Sequence, residues 1–297
     1  PEDQVDFALR LGIDAVPCHF VWQPAGTDLS DLEPPPSLAD QLSSLERYLR
    51  AAQGTNVGVV ASFSSFLDGA PLAAGVAGNP ELSQEQVSTF DGLMETLLER
   101  QEQVIRVVCD RFAGDLALVV ISDDIARDTE LNIAPELFTR AFQERLQRLI
   151  APAQEHGALL MMHTRGRMEQ VLPLLYDLGF DAVQPLEPGH NDIVELKRQW
   201  AGKMALVGSV SADLLRHGSR HDIEQAVRQS CIELAPGGGW VLSSSGRITN
   251  DMYRDPIHLN TDGRQIFSEV IAQKLAGLLQ ASQPAITDGN AQDLIRK

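Results

Sequence analysis

Four short polar clusters, each following an apolar run, hold the side chains of this chain that could do chemistry. They are Ser122-Asp123-Asp124, His163-Thr164-Arg165-Gly166, Glu187-Pro188-Gly189-His190-Asn191-Asp192 and Ser243-Ser244-Ser245-Gly246-Arg247. An imidazole such as His163 ligates a metal, moves a proton near neutral pH, or simply bonds a neighbouring loop. Asp123 and Asp124 are adjacent, so in extended backbone only one of them faces a given side, and the other is left to cap a helix or pair outside. Glu187 reads as a metal ligand, an acid or an ordinary loop charge. Arg165 offers a two-pronged guanidinium to a substrate carboxylate or phosphate, while Arg167 is expected to open the next helix. The serines, with Ser244 at their centre, are placed to line a pocket, although no base is visibly paired with them. The candidate set is therefore His163, Asp123 and Glu187 for catalysis, with Arg165, Asp124 and Ser244 for substrate binding. The run Gly237-Gly238-Gly239 would let backbone approach a phosphate, yet it lacks a Walker-type lysine, and a turn before a strand explains it more simply.

The elements that must position these groups follow a rhythm of short apolar runs and longer amphipathic stretches. Apolar runs stand at residues 13–20, 57–63, 116–121, 158–162, 182–184, 205–208 and 240–242. Continuous aliphatic runs such as Leu116-Ala117-Leu118-Val119-Val120-Ile121 belong to strands buried on both faces, as parallel strands are. Helices are expected over residues 38–52, 83–112, 134–156, 167–178, 192–200, 221–234 and 262–280, with Gly157 and Gly179 placed to end two of them. The expected fold is an α/β (β/α)8 TIM-type barrel with one strand undetected, in which catalytic groups gather where strands end and βα loops begin. One domain over residues 1–280 and a tail over 281–297 are expected, with no linker between two cores, and the opening Pro1-Glu2 reads as lacking part of an N-terminal segment.

Composition narrows the partners. With 41 acidic and 24 basic residues the formal charge is −17, which repels phosphate backbones and anionic headgroups, so neither nucleic acid nor a membrane surface is expected. Cys18, Cys109 and Cys231 are far apart and form no Cys-x-x-Cys pair, which points away from a disulfide framework and toward a reducing cytoplasm. No run reaches the length of a membrane span, and no basic-then-apolar leader opens the chain. A small-molecule substrate is the expected partner, and assembly into a homo-oligomer stays open.

The segment Ile121-Ser122-Asp123-Asp124-Ile125-Ala126, followed by Ile133-Ala134-Pro135-Glu136-Leu137-Phe138, resembles the uroporphyrinogen decarboxylase superfamily, which also contains the cobalamin-linked methyltransferases. His163-x-x-Gly166, Gly179-Phe180-Asp181-Ala182-Val183-Gln184, Leu206-Val207-Gly208, Asp213-Leu214-Leu215 and Pro236-Gly237-Gly238-Gly239 continue the resemblance in order over residues 5–250. It implies a TIM barrel and two chemistries. In the decarboxylase (lyase) branch a polycarboxylate tetrapyrrole is held by an arginine-rich segment, an early aspartate and a late histidine, with no cofactor. Here the early strand runs on as His19-Phe20-Val21-Trp22 without the aspartate, and Gly246 stands where the histidine would.

The methyltransferase branch is approached more closely, through His163-x-x-Gly166 and Glu187-Pro188. That branch implies zinc, with His163 and Glu187 as ligands and Asp123 available to close the site, activating a thiol. It also implies a corrinoid or pterin as methyl carrier and a corrinoid protein as partner. The cysteine or histidine ligands that such enzymes add are absent at Arg165 and near Ser245 and Gly246. The leading expectation is methyl transfer between a corrinoid-type carrier and a thiol or pterin acceptor, and the alternative is cofactor-free decarboxylation. A non-catalytic binding barrel is a third class. A fourth, an SGNH-like esterase, is suggested by Asp255-Pro256-Ile257-His258, but the only Gly-Asp, Gly114-Asp115, is followed by Leu116 rather than a serine.

Overall fold

The computed structural model describes residues 1–20, 37–64, 84–123, 126–127, 130–131 and 142–246. Seven parallel strands form one sheet, in the order β1 (Ala15–Phe20), β2 (Gly58–Ser64), β3 (Leu118–Ser122), β6 (Leu160–His163), β7 (Ala182–Leu186), β8 (Ala205–Val210) and β9 (Trp240–Ser244). Between β3 and β6 lies a two-residue antiparallel pair, β4 (Ala126–Arg127) with β5 (Glu130–Leu131). Each apolar run of the sequence became one of the seven strands. Strand order follows chain order, which is how right-handed βα crossovers lay a barrel wall down. The sheet is curled into an incomplete TIM-type barrel, and its eighth strand is not among the described residues.

Helices cover the outer face: α1 (Glu2–Leu11), α2 (Leu38–Ala52), α3 (Gln84–Phe112), α4 (Gln143–Glu155), α5 (Leu172–Leu178), α6 (Ile193–Trp200), α7 (Ala212–His217) and α8 (Arg220–Leu234). Alternation along each strand sorts its side chains between two faces. Val59, Ala61, Phe63, Val119, Ile121, Leu160, Met162, Val183 and Leu206 join the large core shared with Leu45, Ile105, Leu149 and Leu175 of the helices. Val60, Val120, Met161 and Val207 form a separate apolar cluster that contains no helix residue, so they mark the inner face. Caps fix the helix starts. Ser219 accepts from Asp222 N–H while Asp222 accepts from Ser219 N–H, a reciprocal capping box on α8, and Asp192 accepts from Glu195 N–H on α6.

Three features depart from the sequence reading. Helix α1 was not signalled. Helix α5 begins at Leu172 rather than 167, with Pro173 in its first turn, where the missing N–H forfeits no helical bond. Arg167 consequently does not open that helix; it is exposed and pairs with Glu169 at 3.2 Å. Residues Asp213-Leu214-Leu215, which the sequence rhythm left without an element of their own, lie in a short helix, Ala212–His217, capped by Ser211. The expected helix over 262–280, the tail, Asp124, Arg247 and the Asp255–His258 motif lie outside the described residues.

Candidate active site

Register places the polar side chains at the C-terminal end of the sheet. Ser122 pairs with His163, and His163 with Gln184, so these three share the inner face one row above Val120, Met161 and Ala182. Gln184 Nε2 donates to Ser243 Oγ at 3.3 Å, which carries the row across to β9. One row below, His19 pairs with Ser62 and Ser62 with Val120, so a second imidazole faces inward from the β1 edge. An apolar layer, with Ser62 and His19 on its β1 side, thus floors a mouth rimmed by hydroxyls, an amide and the His163 imidazole. The layer keeps water from below while the rim supplies hydrogen bonds, the usual division in a ligand pocket.

Of the candidates drawn from sequence, His163 is half-buried in this row. Asp123, one position further along β3, is 1% exposed and its N–H donates to the His163 carbonyl at 2.9 Å, so backbone locks it beside β6. Arg165 is exposed on the loop after β6. Ser244 is half-buried, and its hydroxyl donates to the Gly246 carbonyl at 3.1 Å within its own turn. Ser243, its neighbour, has the parity that meets Gln184. Glu187 lies just past β7, and its Oε2 contacts His190 Nδ1 at 3.1 Å. Asn191 ties the two loops together by accepting from Met168 N–H and donating to the carbonyls of Gly166 and Glu187.

Sequence reasoning left His19, Ser62, Gln184 and His190 without roles. The first three were unreadable because a shared face depends on which strands pair and in what register. For His190 the cue was its spacing of three from Glu187 within a turn.

Among the described residues no group of three His, Cys, Asp or Glu side chains stands close enough to hold a metal ion. Zinc's usual four-coordinate demand is therefore not met by His163 and Glu187 with these neighbours, and the Glu187 carboxylate is engaged by His190 instead. Nor do the cysteines supply a ready thiolate. Burial pushes the thiols of Cys18 and Cys109 up to about 11, and both side chains belong to the helix-facing core. Among the described residues no helix is long and apolar enough to cross a membrane.

A curled parallel α/β sheet with its polar groups gathered at the strand C-termini defines a barrel of the enzyme-bearing type. The family pattern of uroporphyrinogen decarboxylase (URO-D) matches residues 85–259, and the chain belongs to that family. A search of curated proteins returns no match. Among solved structures, a methyltransferase from Methanosarcina mazei aligns with 89% of this chain and 81% of its own, at 17% identity and a TM-score of 0.56. Endo-glycoceramidase II from a Rhodococcus species aligns with 90% of this chain and 73% of its own, at 14% identity and a TM-score of 0.50. A B12-independent methionine synthase from Shewanella aligns with 80% of this chain and 67% of its own, at 11% identity and a TM-score of 0.48. At these identities the first two likenesses concern the fold, which different chemistries share.

Proposed function

We propose that the chain is a methyltransferase that moves a methyl group between a corrinoid-type carrier and a thiol or pterin acceptor. The observation that carries this reading is the inward row Ser122, His163 and Gln184 with Ser243 beyond it, a row in which no Asp, Glu, Lys or Arg stands. Methyl transfer needs the acceptor atom held in line with the methyl carbon, and it gains from positioning more than from bulk charge. His163 binds the acceptor heteroatom, Gln184 and Ser243 fix its orientation, Asp123 stiffens the β3 end, and Arg165 meets an anionic group at the rim. The name of the Methanosarcina neighbour agrees with this assignment. Zinc would supply a lowered thiol pKa if bound, but the described residues do not complete its ligand set.

The family match favours a second reading, decarboxylation of a carboxylate-rich substrate, with Arg165 holding a carboxylate and His163 or Asp123 handling the proton. The lack of an Arg or Lys in the row Ser122, His163 and Gln184 and a formal charge of −17 weigh against a polyanion. The test is to incubate the chain with methylcobalamin and a small thiol and follow demethylation of the corrinoid by absorbance, beside carbon dioxide release from a polycarboxylate porphyrinogen. Demethylation dependent on protein and thiol is expected. Carbon dioxide release without demethylation would replace the first reading by the second.

A further inference from the structure

On the inner face of the first two strands an imidazole and a hydroxyl stand side by side, one row deeper than His163. Val16, Cys18 and Phe20 of β1 and Ala61 and Phe63 of β2 belong to the helix-facing core, so alternation turns His19 and Ser62 to the opposite face. The two are register partners. The next pair along, Phe20 and Phe63, stacks at 4.8 Å on the core side and pins the strands to each other at this point. Continued across the sheet, the row of His19 and Ser62 reads Val120, Met161, Ala182 and Ala205. Polarity in this layer is confined to its β1 side, and no Asp, Glu, Lys or Arg stands in it.

Nothing local accounts for a hydroxyl at Ser62. The residue is 8% exposed, and its hydroxyl makes no hydrogen bond among the described residues. In a helix a serine reaches the carbonyl of the preceding turn, but a strand offers no such acceptor, so a buried hydroxyl there calls for a partner from elsewhere. A small apolar side chain would fill the position as Val120 and Ala182 fill theirs. His19 beside it is exposed, so the pair is open from the β1 side.

β1 and β6 are three strands apart, roughly 135° of an eight-strand circuit, and the interior of such a barrel holds about one small ligand. A ligand seated on the apolar layer therefore has His163 and Gln184 on one side and His19 and Ser62 on the other. We infer that His19 and Ser62 form a second binding subsite, which takes an uncharged amide or lactam edge of the substrate while the reacting end lies at His163. A neutral imidazole and a hydroxyl each donate and accept, so together they match a carbonyl beside an N–H. A carboxylate would meet no cation in this row, and an alkyl edge would leave the Ser62 hydroxyl buried without a partner. The inference rests on the mouth being the substrate site, and not on which reaction takes place there.

The experiment reads binding without turnover. Benzamide, acetophenone and benzoate share a ring and carry an edge that donates and accepts, one that only accepts and one that is charged. Each is titrated calorimetrically into the full chain, and the histidine side-chain signals of labelled protein are followed as benzamide is added, with His19→Gln supplying the assignment. Benzamide is expected to bind about tenfold more tightly than the other two and to move the His19 signal. His19→Ala and Ser62→Ala are each expected to weaken it about tenfold, the worth of one hydrogen bond, while His19→Gln, whose amide also donates and accepts, stays within about threefold. Ser62→Ala removes a single heavy atom and His19 is exposed, so both variants keep the fold, which the melting temperature checks. No binding of benzamide, equal affinity for the three probes, an unmoved His19 signal, or Ala variants that bind like wild type overturns the inference. Absence of methyl transfer, read in the separate methylcobalamin assay, overturns the proposed reaction and leaves the subsite standing.

Discussion

The two ends of the barrel use the same polar residue types in different ways. At the N-terminal end they are spent on backbone. Asp181 accepts from Leu160 N–H at 2.8 Å, Gln154 donates to the Leu178 carbonyl at 2.8 Å, and Lys197, 6% exposed, donates to the Gly238 carbonyl. At the C-terminal end, Gln184 meets Ser243 and Glu187 meets His190, side chain to side chain. A buried backbone group must find a partner, so a side chain committed to one is structural. Side chains that pair with one another at the strand ends can exchange those bonds for a ligand. Asn191 crosses this division, because its side chain bonds the backbone of Met168, Gly166 and Glu187, as Ser244 bonds the Gly246 carbonyl.

The sharpest way to break the comparison is Gly208 on β8, where backbone constrains the mouth itself. Its φ is +138°, and an added Cβ would stand 2.7 Å from Leu186 N. Gly208→Val is expected to cost about 3 kcal/mol through strain and overpacking, with stability and transfer falling together. Denaturant unfolding beside the methylcobalamin assay checks it. At the other end, Asp181→Ala is expected to cost about 1–2 kcal/mol by leaving a buried N–H without its acceptor, while the folded fraction transfers methyl at the wild-type rate. A loss of turnover there would erase the division between the ends.

The smallest effect belongs to the α1 edge. The side-chain bonds from Arg47 hold the Glu2 carboxyl at about 2, below its usual value of 4.5. Because the folded value is the lower one, this contact contributes fully above about pH 5 and is lost as pH falls toward 2. Being exposed, it is a weak link. Hydrogen exchange over residues 2–11 is expected to quicken slightly across that window, and Glu2→Gln should remove the dependence.

The wall was legible because strands such as Leu118–Ser122 are buried on both faces and read as unbroken aliphatic runs. The start of α5 was misplaced because the expected helix began at Arg167, whereas Pro173 sits in the first turn of a helix that starts at Leu172. His163 was legible as a polar residue at a strand end. His19 and Gln184 were not, since only register puts them on the same inner face as His163. The triglycine run shows the same limit. The lysine it lacks in sequence arrives from α6, where Lys197 serves a carbonyl rather than a phosphate. Chemistry carried by a residue and its immediate neighbours was readable, and chemistry assembled across strands was not.

The claim at the centre of this account is that the mouth row, rather than the sheet as a whole, carries the function. The most direct measurement is methyl transfer and thermal unfolding of His163→Ala beside wild type. A rate lower by about a hundredfold with an unchanged melting temperature is expected. Transfer within a few-fold of wild type would contradict it, and would move the active site away from the row that His163 defines.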